Sequence, residues 1–230
     1  MTRSKQSKPY IPSWDLLDPN YALIREHYLI LIYLYLLPAM VALLGSTLLG
    51  APEVTNGNLQ LTGAQTGGLI LMLTSVVWQL INAGPSLYFQ LQAVRGKAVS
   101  LADIYRRGLP FSWRVILYYV CFGVATFVGL LLFIVPGLIC FRRYFFGPYF
   151  LVDRNYSVGE ALQMSAKTSK PYRKAIWGVL GVQLVFIFSA FVFEWSLGLV
   201  GSIVSLFVIA SIVFLAPLRY REIAGDKIKT

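Results

Sequence analysis

The run from Trp113 to Val135, WRVILYYVCFGVATFVGLLLFIV, decides the fold. Beyond Arg114 it carries no charged side chain. About 20 apolar residues are enough to cross a bilayer core as a helix, and a stretch that is apolar on every side has no stripe to present to water. The run therefore reads as a transmembrane helix. A membrane barrel is excluded, because barrel strands alternate apolar and polar residues and this run does not.

Working outward, five more runs of low charge follow the same pattern. The six predicted helices cover Tyr28–Leu49, Gly68–Val94, Trp113–Val135, a shorter Leu138–Val152, Ala175–Leu197 and Val200–Leu218. The whole chain agrees with them: its 230 residues are 57% hydrophobic and 13% charged, with a mean hydropathy of +0.66. Soluble domains carry about 25% charged residues, and a disordered chain is poor in apolar side chains. The expected fold class is an all-α, polytopic membrane bundle of six transmembrane helices in three hairpins. Residues 1–27 read as a cytoplasmic leader with an amphipathic segment, 28–224 as the membrane domain and 225–230 as a cytoplasmic tail. The leader is polar and basic and the first apolar run is long enough to span, so no cleavable signal peptide is expected.

The basic residues set the orientation. Arg3, Lys5, Lys8 and Arg25 precede the first helix, and Arg95, Lys97, Arg106, Arg107 and Arg114 lie between the second and third. Arg154, Lys167, Lys170, Arg173 and Lys174 lie between the fourth and fifth, and Arg219, Arg221, Lys227 and Lys229 follow or end the sixth. Gly50 to Gly67 and the tight turn at Gly198 to Gly201 hold no Lys or Arg. Eighteen of the twenty basic residues thus fall on one side, and only Arg142 and Arg143 do not. The positive-inside bias makes that side, and both termini, cytoplasmic. The net charge of +10 is then a belt facing anionic headgroups. A nucleic-acid partner is not expected, and Trp14, Tyr105, Trp113, Tyr172 and Trp177 read as an interfacial aromatic belt.

A threefold pattern runs through the chain. Ser100-Leu-Ala-Asp103 and Ser157-Val-Gly-Glu160 match a helix-capping signature, in which the hydroxyl accepts from a free N–H and the carboxylate reaches back to the cap. Amphipathic segments follow both, and Pro12-Ser13-Trp14-Asp15-Leu16-Leu17 begins a third. Each precedes a predicted hairpin and is expected in the cytoplasmic interface. Gly84-Pro85, Gly147-Pro148 and Ala216-Pro217 mark kinks in the even-numbered helices, since proline removes a backbone donor. Their distances to the next arginine differ, which places them at unequal depths. Pro136-Gly137 is the expected outer turn of the second hairpin.

From Val135 to Lys174 the chain resembles a known family. Val135-Pro136-Gly137, then Arg142-Arg143-Tyr144-Phe145-Phe146-Gly147-Pro148-Tyr149-Phe150-Leu151-Val152-Asp153, resembles its proline-glycine turn and aromatic helix. Ser157, Glu160, Ala161, Leu162, Ser165 and Lys167 resemble its S-x-x-E-A-L-x-x-S-x-K segment. The family is the membrane domain attached to some glycerophosphoryl diester phosphodiesterases, with related stand-alone bacterial inner-membrane proteins. Arg95-Gly96-Lys97 and Pro217 with Tyr220 extend the resemblance more loosely, and Pro171 stands where the family has glycine. The resemblance implies a six-helix bundle in a bacterial cytoplasmic membrane and no activity. The phosphodiesterase chemistry belongs to a separate barrel of His, Glu and Asp residues with a metal.

Chemistry of that kind is not expected here. The chain has one histidine, His27, which reads as an interfacial polar residue beside Glu26. Cys121 and Cys140 stand alone in apolar runs without metal spacing, so no metal, cofactor or enzymatic activity is predicted. Gly123, Gly129, Gly137, Gly178 and Gly181 read as sites of close helix packing. One charged site is expected: Arg142 and Arg143, five residues or so past the outer turn, with Glu194 as an outer-leaflet partner. Two arginines snorkelling to outer lipid phosphates is the equal alternative. The expected function is a non-enzymatic membrane protein that handles lipids or organises the envelope. A transporter or channel component is the alternative, and association with a partner subunit or with further copies of the chain is compatible with both.

Overall fold

A computed structural model describes residues 10–50, 53–55, 58–60 and 62–225. Arg3, Lys5, Lys8, Lys227 and Lys229 lie outside the described residues, as do most of the leader's first half and the tail. The architecture is helical. In chain order it comprises α1 (Leu17–Glu26), α2 (Tyr28–Leu49), β1 (Glu53–Thr55), β2 (Asn58–Gln60) and α3 (Gly63–Val94). There follow α4 (Leu101–Gly108), α5 (Ser112–Leu132), α6 (Ile134–Tyr144), α7 (Gly147–Arg154), α8 (Val158–Ser169), α9 (Arg173–Ala210) and α10 (Leu215–Gly225). The antiparallel β1–β2 pair, with Val54 opposite Leu59, links α2 to α3.

Four helical stretches are long and apolar enough to cross a membrane: Tyr28–Leu49, Gly63–Val94, Leu101–Leu132 and Arg173–Ala224. This is a membrane protein by composition and length of its helices. The expected fourth helix, Leu138–Val152, is instead broken into α6 and α7, and the reason is Pro148. Proline cannot donate to the carbonyl four residues back and its ring crowds that carbonyl, so the helix restarts with Pro148 in its first turn, where the missing N–H has no helical acceptor to serve.

Pro136 acts in the same way. The reversal lies at Phe133, whose φ of −164° and ψ of 151° are extended, rather than at Pro136-Gly137. Pro136 and Gly137 instead fall in the first turn of α6. The two arms then close tightly: a Cβ on Gly129 would come within 2.9 Å of Gly137 Cα, so glycines are needed at that contact. Pro217 likewise sits in the first turn of α10. Within α9 the helix is interrupted at Gly198, whose φ of 54° belongs to the region that glycine alone enters without strain. The backbone doubles back there, bringing Gly201 against Phe193.

The core is not in the middle of the apolar arms. It lies at the end that carries the basic residues. In α3, Gly84, Pro85, Leu87, Phe89, Gln90, Leu91, Ala93 and Val94 are buried, whereas Leu69, Ile70, Leu73, Val76, Val77 and Leu80 are exposed. In α7 everything from Gly147 to Val152 is buried. Leu215, Ala216, Tyr220, Ile223 and Ala224 of α10 are buried as well. Pro85, Pro148 and Pro217 thus each lie within or beside the buried segment of an arm. Burial from water stabilises each large apolar side chain by about 1.5–3 kcal/mol. That force is missing between helices in lipid, which accounts for a packed base and sparsely packed arms.

The amphipathic helices α1, α4 and α8 form the wall of this base. Each turns one face inward, through Asn20, through Ile104 and Gly108, and through Ala161, Ser165, Ala166 and Ser169. Beside the interfacial position expected of them, each thus also packs against the base.

Candidate functional site

At three proline-marked places in the arms, a side chain from an amphipathic segment, or from just beyond it, bonds to backbone groups. Pro85 leaves the Ile81 carbonyl without its donor. Ser112, just beyond α4, donates its hydroxyl to that carbonyl at 2.7 Å and accepts from the Gly84 N–H at 3.2 Å. At the α6–α7 break, Ser165 and Ser169 of α8 donate to the Arg143 carbonyl at 2.9 and 3.0 Å. The Tyr118 hydroxyl donates to the Tyr144 carbonyl, which is the one Pro148 leaves free. At the turn before α10, Asn20 of α1 donates to the Ser211 carbonyl at 2.6 Å and accepts from the Phe214 N–H at 3.0 Å. Each amphipathic segment mends the arm before it, and the first mends the last. The three units close into a ring.

The caps differ from one another. Ser157 and Glu160 form the full reciprocal box: the Ser157 N–H donates to Glu160 Oε2 at 2.8 Å and the Glu160 N–H to Ser157 Oγ at 3.4 Å. Ser100 accepts from the Asp103 N–H at 3.2 Å, but the shorter Asp103 carboxylate receives only the Ser100 hydroxyl, at 2.9 Å. Ser13 caps nothing and instead accepts from Arg219 at 3.1 Å. A further box at Thr62 and Gln65 was not anticipated. The Ser157 N–H, and after it the Ser157 hydroxyl, holds the Glu160 carboxyl below its ordinary pKa of 4.5. A lowered folded pKa stabilises the helix above the unfolded value, and that contribution is lost as pH falls through the folded one. Amide exchange at the start of α8 is accordingly expected to accelerate, relative to its intrinsic rate, below about pH 4. Glu160→Gln should flatten this dependence; an unchanged profile in that variant would show the box to be irrelevant.

Two polar clusters join the base. Asp153, whose side chain is only 6% exposed, pairs with Arg95 and accepts from the Tyr220 hydroxyl at 2.9 Å, with Arg154 Nε 3.7 Å away. It thereby ties the ends of α3, α7 and α10. Arg114 extends the cluster to Asn155, at 2.8 Å. Deeper in, Gln90 donates to the Tyr35 hydroxyl at 2.7 Å and accepts from that of Tyr149 at 3.1 Å. Gln90 and Tyr149 also border a cavity of about 400 Å³. Tyr119, Phe122, Phe141, Phe145, Gln183 and Ile209 complete most of its wall.

Compared with protein-family models, curated proteins and solved structures, the chain matches none. The candidate site therefore rests on its own geometry. Arg142 and Arg143 are not brought to Glu194. The Arg143 backbone is bonded to α8, and the charged groups facing Arg142 are Arg143 and Arg173. Glu194 lies 21 residues along α9 from Arg173, roughly 30 Å at 1.5 Å per residue. It is exposed and in no ion pair among the described residues. The two arginines that stood apart from the basic end in the sequence are thus near it, and the outer-leaflet pairing does not form.

The other expected residues sit as follows. His27 is edge-on to Phe89 and 3.9 Å from Glu26. Cys121 and Cys140 are free thiols, and no cluster of metal-ligating side chains occurs among the described residues. Gly129 and Gly137 pack together and Gly178 meets Ser13, while Gly123 and Gly181 face open space. Asn20, Gln90, Asp153 and Gln183 were missed. The available signal was a polar side chain inside or beside an apolar helix, since such a group is costly in lipid unless it has a partner.

Proposed function

We propose that this chain is a non-enzymatic integral protein of a bacterial cytoplasmic membrane that binds and handles lipid. In this reading the arms form three hairpins and cross the membrane six times. The basic end, with both termini, lies in the cytoplasm, as the positive-inside bias favours. The kinship with the membrane domain of glycerophosphoryl diester phosphodiesterases, on the residues between Val135 and Lys174, is part of the same reading.

One observation supports lipid binding above all. The cavity is mostly aromatic and aliphatic, has two glutamines in its wall, and is bordered by Tyr119 and Ile209, which are also exposed on the outside of the arms. Ligand sites of about 300–1,000 Å³ with apolar walls and a few polar groups suit amphipathic guests, and this one opens where acyl chains would be. A second reading, a transporter or channel component, is favoured by the two interrupted helices at the same cavity, at Tyr144–Pro148 and Ile212–Ala216, because broken helices line many transport sites.

Native mass spectrometry of the full chain is expected to find lipid retained at fixed stoichiometry. Phe122→Trp, which crowds the cavity from its wall, should reduce retention severalfold while leaving the helical circular dichroism unchanged. Equal retention in both would overturn the reading, and solute flux in proteoliposomes that Phe122→Trp abolishes would replace it with the second.

A further inference from the structure

Among the described residues, Arg142 and Arg143 are in no ion pair. Arg142 is only 8% exposed, and the Nε atoms of both arginines are buried without a hydrogen-bond partner. The charges that face Arg142 come from α6 itself and from the start of α9, and both are cationic, Arg143 and Arg173. Four acidic side chains near this end are engaged elsewhere: Asp153 with Arg95, Glu222 with Arg219, Glu160 with Ser157 and Asp103 with Ser100. Arg173 is the first residue of α9, and no side chain caps that helix. Its first N–H groups therefore add partial positive charge at the same place.

A buried cation without an anion is costly, and three guanidinium groups at one helix start compound the cost. We propose that Arg142, Arg143 and Arg173 bind a phosphate group, presented by the headgroup of an anionic membrane lipid. The planar fork of a guanidinium matches phosphate oxygens in paired, charge-assisted bonds. This rests on the lipid reading above and deepens it, because one short segment serves both ends of the guest. Arg142 and Arg143 precede Tyr144, Phe145 and Pro148, which line the cavity. The phosphate sits at the arginines and the acyl chain continues towards the cavity.

The test uses the purified full chain in detergent, with thermal unfolding followed on addition of dioctanoyl phosphatidic acid, dioctanoylglycerol or inorganic phosphate. Phosphatidic acid is expected to raise Tm at concentrations about tenfold below those needed for dioctanoylglycerol, the effect of one or two bonds to a charged group. Arg173→Gln, at an exposed position that leaves folding intact, should weaken phosphatidic acid about tenfold on the same basis. Arg142→Lys, which keeps the charge and loses the fork, should weaken it as well, and Arg106→Gln, an exposed cation of α4, should leave it unchanged. Equal weakening by Arg106→Gln would replace the site with diffuse charge and overturn it. If dioctanoylglycerol protects as well as phosphatidic acid and Arg173→Gln has no effect, lipid binding stands and the phosphate site falls. If inorganic phosphate protects, is weakened by Arg173→Gln, and neither lipid acts, the anion site stands and the lipid reading falls.

Discussion

Asn20→Ala is expected to destabilise the protein by about 2–6 kcal/mol, because two backbone groups, one buried and one part-buried, each lose a partner at about 1–3 kcal/mol. Asn20 is fully buried, and its amide serves the Ser211 carbonyl and the Phe214 N–H together. No other hydrogen bond to either group joins α1 to this turn, and alanine leaves a gap that is too enclosed for easy repair. The neighbouring Tyr21 is exposed, so Tyr21→Ala should change stability by less than about 0.5 kcal/mol. Unfolding in denaturing detergent, followed by circular dichroism, separates the two. Asn20→Ala within error of Tyr21→Ala would mean that the ring is not closed in solution.

Arg219→Ala should also be destabilising, by about 1–3 kcal/mol, because the Ile11 carbonyl and the half-buried Glu222 carboxylate lose their partner. Arg219 is fully buried. It pairs with Glu222 and donates to the Ile11 carbonyl at 2.8 Å, while Glu222 accepts the Ile11 N–H at 2.7 Å. Tyr10 lies over the guanidinium, 5.5 Å from ring centroid to Cζ. The same variant is therefore expected to release the segment 10–15 to proteolysis. Arg219→Lys should fall between wild type and alanine, since an ammonium cannot reach Glu222, Ile11 and Ser13 with one planar fork. If Arg219→Ala melts like wild type and the segment stays protected, the clamp contributes nothing.

The helical nature of the chain was legible because the run at Trp113–Val135 and its counterparts leave no polar face, and a lipid environment imposes that demand residue by residue. Where the helices end was less so. Pro136, Pro148 and Pro217 announced interruptions, but whether a proline kinks a helix or opens a new one depends on what repairs the freed carbonyl. For Pro85 that is Ser112, which keeps α3 continuous, and nothing local in the sequence says so. Arg142 and Arg143 were misplaced because depth was counted from Pro136-Gly137, when the chain had already turned at Phe133. Asn20 was illegible as a fastener, since its partners lie 191 and 194 positions away.

That separation has a consequence for how the protein is made. A chain is synthesised from its N-terminus and its early portions begin folding first, yet the amide of Asn20 meets its partners only after residues 211–214 have left the ribosome. Until then α1 holds an unsatisfied polar group at the rim of a half-built assembly. The last arm to be inserted is what retires it, so biogenesis ends with a latch that no truncated translation product can fasten.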